Sequence, residues 1–273
     1  MVSLDSKPRR RWFQFRLRTL LVAIAVLAVP CAWIAHERQT IAKRREAFAE
    51  MGAIFGDEQK QPSWRLWLLG NDVPGYAGDI ALRSPRATDD RLEHLHELTR
   101  VKILWLDNPK ITDHGLRHLC GLTQLETLWL HDSQVSSDGL THLKQLQNLR
   151  ELVLDNTRVS DAGLMHIREL PRLELLWLSN TQITDVGLSH LEQMPELQKL
   201  AVGGTGVTDS GLRHLSRIPK LDTLWLVNTK VTDVGLTYLQ EAKHLTSVWL
   251  SGTTVTPEGK KGLLRAVPGL QIQ

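Results

Sequence analysis

Histidine recurs at one spacing along this chain. His94, His118, His142, His166, His190 and His214 each follow the last by 24 residues, and Tyr238 takes the next place. Imidazole is a common zinc ligand, so the column raises the question of a metal site. A zinc ion needs its ligands to converge at roughly 2.0–2.1 Å. One histidine per 24 residues falls on successive elements, which pack about 8–10 Å apart if helical. The column cannot converge and reads as a duplicated position bordering a helical surface, so no metal is expected.

The other reactive residues lead no further. Cys120 has no basic immediate neighbour to lower its pKa, which a nucleophilic thiolate would need. Gly203-Gly204-Thr205-Gly206 is rich enough in glycine to hold a phosphate, but it lacks the Lys-Ser/Thr of a P-loop and the spacing of a dinucleotide fingerprint. No catalytic constellation emerges, no cofactor is implied, and the chain reads as a binding protein rather than an enzyme.

Tryptophan is more informative. Five of the nine tryptophans, Trp105, Trp129, Trp177, Trp225 and Trp249, occupy one column of the same 24-residue period, with Val153 and Ala201 filling the gaps. Each lies between two leucine-type residues, so on a strand it points away from the core. Adjacent strands are about 4.8 Å apart, which would let Trp105 meet Trp129 and Trp225 meet Trp249. Exposed aromatics in a row mark binding surfaces. Polar residues follow two and three places later: Asp107, Asn108, His131, Asp132, Asp155, Asn156, Asn180 and Asn228. The candidate ligand-binding residues are the five tryptophans with Asp107, Asp132 and Asp155. A plain alternative is that tryptophan suits strands and was copied by duplication.

The elements that must hold these columns come from the repeat itself. Eight copies of 24 residues start at Ala77, Val101, Leu125, Leu149, Leu173, Leu197, Leu221 and Leu245. Positions 4 and 6 are apolar and alternate with position 5, the mark of a short strand with one buried face. Position 11 is Ile or Val in seven copies. Position 12 is Thr or Ser in all eight, an N-cap column. Position 13 is usually Asp, favourable in a helix's first turn, and is Pro257 in the last copy, which suits a first helical position. Positions 16 and 19 are almost always leucine and share one helical face. Each copy is therefore strand, turn, cap and short helix. Stacked, the copies give a parallel sheet on a concave side and helices on a convex side.

The core Leu125-Glu-Thr-Leu-Trp-Leu130 resembles the LxxLxL of leucine-rich-repeat proteins, over about residues 77–268. Ile183-Thr-Asp-Val-Gly-Leu188 looks like the repeats of F-box leucine-rich-repeat proteins and of many bacterial membrane-anchored ones. The family's Asn at position 9 is here Ser133, Thr157, Thr181, Thr205, Thr229 and Thr253, or Pro85 and Pro109, and a hydroxyl ladder to neighbouring backbone is expected in its place. No F-box-like module precedes the repeats, so the bacterial membrane-anchored type fits the whole chain best. The resemblance implies an α/β leucine-rich-repeat solenoid that binds a partner.

Between Arg18 and His36 lie seventeen uncharged residues, 19–35, with Trp12, Phe13, Phe15 and Trp33 near the ends of the stretch. At about 1.5 Å per residue they span roughly 25 Å, the short end of a transmembrane helix. A cleaved signal peptide is the rival reading. Six Lys/Arg precede the stretch and four follow closely, favouring a cytoplasmic N-terminus and an external body. Residues 1–50 carry ten Lys/Arg against four Asp/Glu, a net of +6, so 51–273 carry −3 of the chain's total of +3. A slightly acidic body argues against nucleic acid. Cys31 and Cys120 are not expected to pair.

The chain thus divides into a basic segment 1–18, a transmembrane helix 19–35, a juxtamembrane and capping region 36–76, eight repeats over 77–268 and a terminal 269–273. The capping region reads as a helix over 37–51, a strand at 53–55 and a helix over 63–70. Three functions follow from this reading: a protein or peptide partner on the concave face, an envelope glycan on the tryptophans, or a structural scaffold without a ligand. The first is the ordinary use of such solenoids.

Overall fold

A computed structural model describes residues 53–55, 79–82, 87–98 and 100–273, together with Gln39. The chain divides into two compact units, 1–46 with 61–73 and 47–60 with 74–273; Gln39 aside, the described residues belong to the second. The expected membrane segment 19–35 and the helices expected over 37–51 and 63–70 lie outside them. Among the described residues no helix is long and apolar enough to cross a membrane.

The second unit holds one sheet of ten described strands, in spatial order identical to chain order. Strand β1 (Ala53–Phe55) runs antiparallel to β2 (Asp79–Leu82). The next seven are three residues each: β3 (Ile103–Trp105), β4 (Thr127–Trp129), β5 (Glu151–Val153), β6 (Leu175–Trp177), β7 (Lys199–Ala201), β8 (Thr223–Trp225) and β9 (Ser247–Trp249). A two-residue β10 (Gln271–Ile272), not foreseen in the sequence, closes the series in parallel with β9. All neighbours from β2 onward are parallel and pair like position with like. The uniform period leaves no other register that keeps every leucine inside.

Each turn of the solenoid gives the core the same residues. In copy three they are Leu125, Leu128, Leu130, Val135, Leu140, Leu143 and Leu146, all at most 1% exposed. Such residues from successive copies form one continuous apolar cluster between the sheet and the helices. A single copy could not bury this face, so its stability is shared with its neighbours.

The return segments are not uniform helices. Asp161–Ile167, Asp209–Leu215, Asp233–Leu239 and Pro257–Ala266 are α-helical. Asp89–Glu97 and Gly139–Gln145 are 3-10 helices, and the α-turns Asp113–Leu116 and Asp185–Leu188 continue as 3-10 over 117–119 and 189–191. The 3-10 form advances about 2.0 Å per residue, so it covers the short return with few residues.

The cap column does more than cap. Thr112, Thr184, Thr208 and Thr232 each accept a hydrogen bond from the amide two residues on, and Thr256 from that of Gly259. Thr88 and Ser160 make no such bond. The same threonines also donate to the position-13 aspartate of the preceding copy, as Thr208 does to Asp185 (amide to Oδ1 2.8 Å, hydroxyl to Oδ2 2.6 Å). Aspartate at position 13 is therefore an inter-repeat acceptor as well as a first-turn charge. The position-9 hydroxyls bond neighbouring backbone within their own copy. Thr157, Thr181, Thr205, Thr229 and Thr253 donate to the carbonyl three residues back, closing the turn that ends the strand.

Candidate binding face of the sheet

Positions 3, 5 and 7 of each copy stand on the outer face of the sheet, away from the helices. Strand pairing sets Trp105 beside Trp129, Trp129 beside Val153, Val153 beside Trp177, Trp177 beside Ala201, Ala201 beside Trp225, and Trp225 beside Trp249. All five predicted tryptophans therefore share one face in one row.

They are half-buried rather than freely exposed, because the rings cover one another. Trp225 and Trp249 stack with centroids 4.7 Å apart and planes 17° from parallel. Trp177 reaches across Ala201 to stack on Trp225 at 5.1 Å and 27°, which leaves Ala201 only 1% exposed. Trp105 and Trp129 meet edge to face at 6.2 Å and 74° instead of stacking. Trp129 Nε1 donates to Glu151 Oε1 at 3.2 Å, which points its indole N–H toward β5. The row is thus a pair and a trio, divided at β5. Both stacked and edge-to-face contacts are favourable aromatic geometries.

The predicted polar residues separate by position. Asp107 and Asp155, at position 7, are half-buried beside the aromatic row. Burial raises the Asp155 carboxyl above the ordinary aspartate value, against the lowering effect of the hydrogen bonds from Ser179, whose amide donates to Oδ1 at 2.6 Å. Position 8 serves the turn. Asp132, Asn156, Asn180 and Asn228 all have φ near +56°, a conformation short polar residues tolerate. Asn180 Nδ2 donates to Asn156 Oδ1 and Asn156 Nδ2 to Asp132 Oδ1, at 2.8 and 2.9 Å. Asp132 also meets His131 Nε2 at 2.9 Å. Asp132, Asn156 and Asn180 are thus engaged with one another along the rim. Asn108 is buried and donates to the Ala87 carbonyl.

Glu151, at position 3, was missed among the candidates. The strand alternation that singled out position 5 places position 3 on the same face, so the signal was there. Ile103 and Leu175 share its column and are also half-buried.

Most other features singled out in the sequence lie away from this face. Among the described residues no group of three His, Cys, Asp or Glu is placed to hold a metal ion. In the histidine column His214 Nδ1 bonds Glu192 closely, and Arg217 joins the same carboxylate at 3.1 Å. The His214 hydrogen bond is the main reason the Glu192 carboxyl lies below the usual glutamate value. Cys120 is exposed. Gly203 follows β7 as expected, and Gly204 takes a positive φ of 65° in the strand-exit turn.

No family model matches the chain, and no curated protein matches it. Solved structures do resemble it. Internalin C2 of Listeria monocytogenes matches with a TM-score of 0.52 and 20% identity, over 78% of this chain and 92% of that one. Another Listeria monocytogenes internalin, InlF, matches with a TM-score of 0.45 and 20% identity, over 66% of this chain and 63% of that one. The chain spans less than two thirds of that second protein. At such identity the likeness to internalin C2 concerns fold alone. With the 24-residue period and the sequential parallel sheet, it defines a leucine-rich-repeat solenoid.

Proposed function

We propose that this chain is a membrane-anchored binding module that takes a protein or peptide partner on the outer face of its sheet. The observation that carries this reading is the row of five half-buried tryptophans on one face of the sheet. A solenoid gains no core from aromatic side chains on that face, and large rigid rings at low entropic cost are what protein interfaces use. A protein partner is favoured over a glycan because stacking covers the inner ring faces of Trp177, Trp225 and Trp249, and a sugar platform needs an open face.

The uncharged stretch 19–35 and its six preceding Lys/Arg support the anchor and an external body. Export-dependent and cytoplasm-dependent reporters fused to the C-terminus test the orientation; activity of the cytoplasmic one alone reverses it. The binding reading is tested by affinity capture from native envelope material with the full chain and with Trp225→Ala/Trp249→Ala. A discrete protein retained by the first and lost from the second is the expected result. Equal recovery by both contradicts it.

A further inference from the structure

The two aromatic groups are separated at β5, and that interval differs in chemistry from the rest of the face. Val153, 6% exposed, sits in register between Trp129 and Trp177. On the same strand Glu151 lies two residues before it and Asp155 two residues after, both half-buried. From β6 to β9 the described outer positions carry one charge, Lys199, and Leu175 stands in register between Lys199 and Glu151. Two cations just before the strands are committed to other carboxylates: Lys102 to Glu126 at 2.7 Å and Arg150 to Glu174 at 2.8 Å. Among the described residues no lysine or arginine pairs with Glu151 or Asp155; His131, paired with Asp132 at 2.9 Å, exerts a lowering influence on Asp155.

Resting on the reading above, we infer that the partner presents a lysine or arginine side chain to the β5 interval, between Trp129 and Trp177, with its apolar side chains on the Trp177–Trp225–Trp249 trio. A cation there lies between the two indoles and pairs with two half-buried carboxylates. Cation–π attraction and charge-assisted hydrogen bonds both strengthen when desolvated. Burial already disfavours the charged form of Asp155, and an incoming cation offsets that cost. The interval and the centre of the trio are about three strands apart, roughly 14 Å at 4.8 Å per strand. An extended segment covers this in about four residues at 3.3 Å each, so a basic residue followed or preceded by an apolar cluster four places away fits the face.

The test uses a displayed library of random dodecapeptides panned on the purified full chain. Enriched peptides are then measured against the wild type, Glu151→Gln/Asp155→Asn and Trp225→Ala/Trp249→Ala. Asn at 155 keeps an acceptor for the Ser179 amide, so the fold is preserved. The expected result is an excess of Lys/Arg spaced from an apolar cluster, with binding about ten-fold weaker to the charge-neutralised variant, the scale of a charge-assisted contact. Replacing the peptide's basic residue by Gln should cost the same against the wild type and nothing further against that variant. Peptides without a basic excess that still lose binding to the tryptophan variant overturn this inference and leave the sheet-face reading standing. Peptides indifferent to the tryptophan variant, or a library from which nothing is enriched, overturn both.

Discussion

Asp161 accepts two hydrogen bonds from Thr184, one from its amide to Oδ1 at 2.7 Å and one from its hydroxyl to Oδ2 at 2.6 Å, across the boundary between adjacent copies. Thr184 Oγ1 in turn accepts from the Val186 amide at 3.3 Å. The helix start of one repeat is thus fastened to the aspartate of the repeat before it. The glycine of the same motif follows from this: a Cβ on Gly187 would overlap Oδ1 of Asp161. In the Thr-Asp-x-Gly-Leu pattern the threonine caps, the aspartate receives the next cap, and the glycine leaves room for the preceding aspartate.

Copy three departs from this at the aspartate. Ser137 replaces aspartate in copy three, and its hydroxyl accepts from the Ser160 amide at 3.0 Å and meets the Ser160 hydroxyl at 2.9 Å. Thr184→Ala and Asp161→Ala should each lower stability by about 1–2 kcal/mol. The double variant should lose clearly less than the sum, since both remove the same bonds. Gly187→Ala should be more damaging than Gly163→Ala, where the nearest atom to an added Cβ is Leu140 Cδ1 at 2.9 Å. Thermal unfolding of the four single variants and the double checks this. Additive losses would place the aspartate outside the cap.

Leu130 is fully buried and Trp129, one residue before it, is not. Leu130→Ala should cost roughly 2–5 kcal/mol. Trp129→Ala should fall well below the roughly 3–5 kcal/mol of a core aromatic. Trp225→Ala should cost more than Trp129→Ala, because Trp225 is stacked on both sides and aromatic pairs add about 0.5–1.5 kcal/mol beyond burial. Denaturant unfolding of the three variants gives the order, and Trp129→Ala equalling Leu130→Ala would contradict it.

The repeat frame, strand positions and outward tryptophan column were all legible in the sequence, because period-two alternation within a 24-residue period leaves one consistent arrangement. Lateral detail was not. Whether Trp177 leans toward Val153 or across Ala201 depends on which neighbour is small enough to be covered, and that is settled by packing between strands. The inter-repeat role of Asp161 was hidden for the same reason: its partner, Thr184, is 23 residues away, and a helix-dipole role explained the residue locally. The turn role of Asn156 and Asn180 needs a positive φ, which the sequence permits without requiring.

Two carboxylates should respond to pH in opposite senses. Burial raises Asp155 above its unfolded value, so the stabilisation it gives when protonated is present in acid and is lost as pH rises through its folded pKa. Asp155→Asn should therefore be neutral or stabilising at pH 7 and lose that advantage near about pH 3. The hydrogen bond from His214 lowers Glu192 below 4.5, so its stabilisation is present above that value and is lost as pH falls through the folded pKa. Glu192→Gln should destabilise at pH 7 and approach the wild type in acid. Melting temperatures at both pH values decide, and a destabilising Asp155→Asn at pH 7 would show that its hydrogen bonds outweigh its burial.

The central claim is that the aromatic face of the sheet is where a partner sits. The most direct measurement is site-specific photocrosslinking in the native cell, with a photoreactive residue at Val227, half-buried on the same strand face as Trp225, or at Val186, 66% exposed on the helical side. The account predicts a discrete crosslinked polypeptide from position 227 that disappears with Trp225→Ala/Trp249→Ala, and none from position 186. A specific product from 186, with none from 227, would contradict it.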